Sequence, residues 1–234
     1  MERRTETATA FPVVMTPVVM FGAVCWTLSV LYFPAQAVVQ TASARPYSLA
    51  TNLISDLGNT ACGPTVCSPL HGLMNATFIA VGVLHWAGAL ATQQAWPPGR
   101  QRTLSAAMLW RTLGAVLLVL AGDGLLQAGV SPENVNPATH KTFALMGLAS
   151  LNAGILVLGL LTLPLDRRIG VAAIVAGTVG GLGLLLLLSP ALGLPPGITE
   201  RVADYPGAAM IVVLGALLLG RIVRARRTLV SRIS

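Results

Sequence analysis

From Asp166 to Ser189 the chain reads DRRIGVAAIVAGTVGGLGLLLLLS: one acid and two arginines, then no charge at all to the end of the run. A hydrocarbon core takes about 20 mainly apolar residues as a helix, and this run supplies them. It is too long for a strand, and it is apolar on every side rather than along one stripe. It therefore reads as a helix among lipid and other helices, entered from a side that carries arginine. Five further stretches of the same kind lie near 13–33, 72–92, 106–130, 142–163 and 206–223, so the fifth helix at 169–189 is one of six.

The composition agrees. The 234 residues are 54% hydrophobic and 10% charged, with mean hydropathy +0.74, whereas soluble domains are roughly one-quarter charged. Period-two alternation is absent, and lipid requires a backbone satisfied within each segment, so helices are expected and a barrel is not. The fold class is all-α: an integral membrane bundle of six transmembrane helices forming a single domain over 1–234.

Basic residues set the expected orientation, because cytoplasmic loops hold an excess of them. Arg3 and Arg4, Arg100 and Arg102, Arg167 and Arg168, and the tail group Arg221, Arg224, Arg226, Arg227 and Arg232 all fall on one side of the six crossings. The opposite side holds Arg45, Lys141 and Arg201, and Arg111 lies inside helix three. Both termini are expected in the cytoplasm, in a multi-pass protein of the cell (plasma) membrane. The first apolar run is too long for a signal core of roughly 7 to 15 residues, although Ala35-Gln36-Ala37 mimics a cleavage site, so it is expected to stay as helix one. The net charge of +7 sits largely in the tail 224–234. It reads as a topology signal and an attraction to anionic lipid headgroups, not as a nucleic-acid surface.

The longest extracytoplasmic loop, 34–70, holds the densest polar text, Asn52-Leu53-Ile54-Ser55-Asp56-Leu57-Gly58-Asn59. Asn52, Ser55 and Asp56 suit caps and turns. The alternative is that Asp56 is a carboxylate at the membrane boundary working as a general acid. Cys62 and Cys67, on the oxidising side, are expected to form a disulfide. No cofactor is expected; zinc on Cys62, Cys67 and His71 is the sharper alternative, lacking a fourth ligand. Cys25 reads as a small core residue.

Helix two carries His71, Asn75, Gly82, His85 and Ala89 close to one face, which should pack inward with the small residues allowing close approach. His85 reads as a hydrogen-bonded core histidine. Asp123, in helix three with Gln127 one turn on, is either a functional carboxylate facing the bundle interior or an interhelical hydrogen bond. The next outer loop, Ser131 to His140, offers Asn136 or Thr139 as a cap and places His140 level with Asp56 and His71. Ser150 and Asn152 either deepen a pocket or bind helices together. Glu200 and Arg201, in the last outer loop with Asp204, read as a solvated pair. Gly177 and Gly181 make a GxxxG pair in helix five, a weak packing signal.

The set Ile54-Ser55-Asp56-Leu57-Gly58, Ser68-Pro69-Leu70-His71-Gly72-Leu73-Met74-Asn75, and Pro132-Glu133-Asn134 with His140 downstream resembles the domain of unknown function 998 family. The likeness covers most of the chain. It implies a small prokaryotic integral membrane protein of about six helices, most like actinobacterial members, and it brings no catalytic residues.

Three classes of function are open. The first is an intramembrane enzyme acting on a lipid or isoprenoid, with Asp56, Asp123, His71 and His140 as acid–base groups and Ser55, Asn75, Gln127 and Asn152 around the substrate. Small membrane terpene cyclases offer an analogy of size and buried carboxylates only. A metal-dependent lipid hydrolase on His71, His140 and Asp56 is its variant. The second is a non-catalytic assembly or regulatory protein. The third is a small transporter with Asp123 and His85 on its path. Membrane lipids are the expected partners; no nucleic acid is, and the sequence sets no oligomeric state.

Overall fold

The computed structural model describes residues 16–96 and 104–233, with side chains for 16–96 and 108–225. Among these residues it is all-helical, with six segments long and apolar enough to cross a membrane. They are α1 (Pro17–Leu28) continued by α2 (Tyr32–Thr41), α3 (His71–Thr92), α4 (Leu104–Val130), α5 (Pro137–Thr162), α6 (Arg167–Leu187) and α7 (Pro196–Ile233). The protein is a multi-pass membrane protein. Leu109, Leu185, Val18 and Phe21 are among the large side chains exposed on the outside of the bundle, where lipid would cover them.

The first span runs to Thr41, not to residue 33, so eight residues expected in the outer loop are helical. Pro34 explains the join. A proline inside a helix clashes with the carbonyl four residues earlier, here that of Val30, and the chain tightens into a 3-10 turn over Ser29–Leu31 before resuming. The last helix differs more. It starts at Pro196, ten residues before the expected boundary, and runs through the basic tail, so Glu200, Arg201 and Asp204 are helical residues and not loop residues. Pro206 lies inside it. Arg3, Arg4, Arg100 and Arg102 lie outside the described residues, as do the side chains of Arg226, Arg227 and Arg232.

The helices form a ring in the order α1, α3, α4, α5, α6, α7, closed by α1 against α7, with α5 and α7 also touching across it. Glycines set the tightest crossings. A Cβ on Gly82 would strike the Gly122 carbonyl of α4 at 2.5 Å, and one on Gly122 would strike the Gly82 carbonyl at 2.6 Å. Gly177 packs against α5, whereas nothing lies near Gly181, so only half of the GxxxG pair is used.

The two ends of the ring are unlike. Toward the arginine-bearing end, Trp26, Leu118, Ile155, Ile211, Leu214 and Ile222 fill a core in which each is at most 2% exposed. At that end Asp166 caps α6 through Ile169 N at 3.2 Å and pairs with Arg221 at 3.0 Å. The loop end holds a second, smaller core around Tyr32, Leu57, Met74 and Phe78. Beside it lies a cavity.

Candidate functional site

The cavity is small, about 60 Å³, and partly open. Its apolar walls include Phe78, Leu125, Leu148 and Leu151, and its polar groups are Tyr32, Ser55, His85, His140, Glu200 and Asp204. Along α5 the lining runs from His140 to Leu151, about 16 Å at 1.5 Å per residue.

Glu200 and Asp204 stand one turn apart on α7, the spacing that puts two side chains on one helical face. Asp204, 7% exposed, accepts from the Tyr32 hydroxyl at 2.8 Å through Oδ2. Glu200 accepts the backbone N–H of Ile54 through Oε2. Among the described residues no donor reaches the other oxygen of either carboxylate.

The two histidines differ. The His140 Nδ1 lies 2.9 Å from the carbonyl of Ser131. A carbonyl only accepts, so Nδ1 carries the hydrogen and the lone pair of the neutral ring is on Nε2. His85 is 3% exposed, and its Nε2 has no hydrogen-bond partner. That departs from the hydrogen-bonded core histidine expected from sequence. A buried polar atom without a partner costs free energy unless something else satisfies it.

Arg201 turns away from the cavity. Its guanidinium donates to the carbonyls of Leu49 at 3.0 Å, Asn52 at 2.8 Å and Gly197 at 2.9 Å, and to the Tyr47 hydroxyl at 2.6 Å. The expected solvated Glu200–Arg201 pair is therefore corrected: Arg201 is 8% exposed and fastens the loop between α2 and α3 to α7. Tyr47 in turn donates to the Leu53 carbonyl at 2.7 Å, and burial pushes its phenol up to about 12 against the downward pull of Arg201.

The polar motif of the loop between α2 and α3 forms a roof over the cavity. Asp56 gathers Asn52 Nδ2 and Leu53 N at 3.0 Å each and Asn59 Nδ2 at 3.4 Å. This closes the turn that presents Ile54 N to Glu200 and Ser55 to the cavity. Ser55 donates to Glu133 Oε2 at 2.7 Å, and Asn134 bonds Thr60 and Asn59, so the loop between α4 and α5 is stitched to the roof. Asn75 Nδ2 donates to the Gly58 carbonyl at 2.9 Å, and His71 Nδ1 meets the Ser68 carbonyl at 2.9 Å. Cys62 and Cys67 lie at disulfide distance, Cα to Cα 4.2 Å, in the same loop.

Of the residues singled out in the sequence, Ser55, His85 and His140 line the cavity, as do Glu200 and Asp204, which were read there as loop residues. Asp56, His71 and Asn75 build the roof. Asn152, 2% exposed, donates to the carbonyls of Leu148 and Ala203 at 2.8 Å each and so ties α5 to α7 just before Pro206. Asn136 is the cap of α5, accepting from Thr139 N at 3.2 Å. Asp123 and Gln127 do not line the cavity. Ala121, Gly124, Leu125 and Ala128 present that face of α4, and at 3.6 residues per turn Asp123 falls roughly opposite it, on the face of exposed Val116, Leu120 and Val130.

Tyr32 was not singled out in the sequence, and Glu200 and Asp204 were named there only as loop residues. A signal existed: Pro196 suits the first position of a helix, and a helix begun there puts Glu200 and Asp204 at positions i and i+4. Reading Pro206 as the helix start concealed it.

A model of the protein family described as protein of unknown function (DUF998) matches residues 27–217. No curated protein and no solved structure matches the chain.

Proposed function

The chain belongs to the DUF998 family, a membership that assigns no chemistry, and on that premise we propose that it is an intramembrane enzyme acting on a lipid or isoprenoid by acid–base catalysis. The observation that carries this is the pair Glu200 and Asp204, each with one oxygen free of donors among the described residues, facing an apolar-walled cavity that also holds His85 and His140. One group, as the carboxylic acid, gives a proton to a substrate atom or, as the carboxylate, takes one from it, and its neighbour one turn away stabilises the charge that results. His140, with Nδ1 fixed on the Ser131 carbonyl, exchanges protons at Nε2 near the roof. Tyr32 holds Asp204 in position. The walls exclude water from the reacting atoms.

The reading requires no cofactor. Zinc on Cys62 and Cys67 would need thiolates, and the two cysteines lie paired as a disulfide. The arginine-bearing end lies in the cytoplasm by the positive-inside rule, which puts the roof on the outer face of the plasma membrane. Membrane lipid is both the surroundings and the source of substrate.

The test is conversion. Full-length protein in nanodiscs, supplied with isotope-labelled lipid extract from its host, should transform one species detectable by mass spectrometry. Glu200→Gln and Asp204→Asn should each slow that conversion by about 10²- to 10⁴-fold, the usual worth of a general acid or base. The proposal fails if wild-type protein transforms nothing, or if both variants match it.

A further inference from the structure

Resting on the reading that this cavity is the working site, we propose that the polar end of its ligand is a protonated amine: the substrate class is an amphiphile with an ammonium head and an apolar tail.

The charge balance of the lining points there. Glu200 and Asp204 line the cavity, and among the described residues no lysine or arginine does. Arg201, which follows Glu200 directly, spends its guanidinium on Leu49, Asn52, Gly197 and Tyr47. The Ile54 N–H at the roof, a donor that could have met an anion, is taken by Glu200. A phosphate or carboxylate entering this space would meet two acids and no counter-charge. Anion sites are built the other way, from Arg, Lys or free N–H groups. A diphosphate-bearing isoprenoid is refused on the same ground.

An ammonium, by contrast, finds partners of two kinds. It brings up to three N–H donors, and the site offers Asp204 Oδ1, Glu200 Oε1 and, in the tautomer with its lone pair there, His85 Nε2. None of these three atoms has a protein hydrogen-bond partner among the described residues, and His85 is buried. Beside them the rings of Tyr32 and Phe78, centroids 6.2 Å apart and tilted by 47°, both line the cavity. Aromatic faces attract cations, most strongly where water is excluded. Leu125, Leu148 and Leu151 are left for the tail.

The test uses radiolabelled dodecylamine and the full-length chain in phosphatidylcholine nanodiscs, with empty nanodiscs as the blank. Saturable binding of one amine per chain is expected. A hundredfold excess of dodecanol or dodecyl phosphate, equal in tail length, should not displace it. Glu200→Gln and Asp204→Asn should each weaken binding at least tenfold, and Phe78→Leu, which keeps every charge, should weaken it severalfold. Displacement by dodecyl phosphate or dodecanol as readily as by unlabelled amine would overturn the proposal. So would unchanged affinity in all three variants. The competition is run on wild-type protein, so it decides even if a variant fails to fold. Repeating it in phosphatidylethanolamine separates the sources: weaker apparent binding identifies an aminolipid headgroup, and unchanged binding a free lipophilic amine. Amine binding without lipid conversion would sink the enzyme and leave this site standing. Conversion of a lipid that amine does not compete for would do the reverse.

Discussion

Tyr32 and Asp204, separated by 172 positions in the chain, meet through one hydrogen bond of 2.8 Å inside the bundle. The tyrosine stands where α2 resumes after the 3-10 turn, and the aspartate stands on the inward face of α7, so the bond fixes a carboxylate that its own helix leaves free to rotate. The same ring packs against Phe78 of α3. Three helices are therefore joined at the point where the acids face the cavity.

Tyr32→Phe keeps the ring and removes the donor. The loss should be about 1–2 kcal/mol, the scale of a hydrogen bond to a charged group less what the membrane's unfolded state recovers. It is read as a drop in midpoint when detergent-solubilised protein is unfolded with and without the substitution. Asp204→Asn keeps an acceptor for Tyr32 and should leave that midpoint nearly unchanged, while it removes the charge. A large stability loss in Asp204→Asn and none in Tyr32→Phe would contradict this division of roles.

Arg201→Lys retains the charge but cannot reproduce a planar fork that reaches three carbonyls and a phenol. A loss of at least about 2 kcal/mol is expected. Its signature is local: hydrogen exchange should rise over residues 47–58 and stay unchanged in α4. Uniform loss of protection would mean that Arg201 supports the whole bundle and not the roof.

The Tyr47 phenol gives a pH dependence outside the membrane. Its folded value of about 12 lies above the ordinary 10, so the unfolded chain gives up this proton first. The associated stabilisation is complete below about pH 10 and disappears as pH rises toward about 12. Ultraviolet titration of wild-type protein minus Tyr47→Phe should show a single late tyrosinate in that upper range. A difference centred near 10 would mean the roof leaves Tyr47 in water.

Asp123→Asn should change neither lipid conversion nor amine binding, because Asp123 falls on the face of α4 opposite the cavity lining. Any tenfold loss in either assay, in protein of normal stability, would bring Asp123 back into the site.

Much of this was legible in the residues. Long apolar runs gave all six spans, since length and the absence of charge are enough to require helices in lipid. The outer loop showed its importance through Asn52, Asp56 and Gly58, but not its role. Their polar atoms proved to be engaged with one another, and a sequence cannot show whether a carboxylate is satisfied by its neighbours. His140 lines the cavity at a level that followed from the helix start. Asp123 misled because depth in a membrane can be counted along the chain, whereas the face it presents depends on which helices lie to either side. Glu200 and Asp204 were misread for a local reason: a proline inside a helix and a proline before one look alike until the packing around Asn152 and Ala203 is known.

The helix α7 brings Glu200, Arg201 and Asp204 together, and it is the last of the seven to leave the ribosome. A nascent chain stopped before Pro196 already has the histidines, the aromatic rings and most of the wall, yet lacks both acids and the clasp for the loop above them. Synthesis thus delivers the two acids only after most of the wall that encloses them has been made.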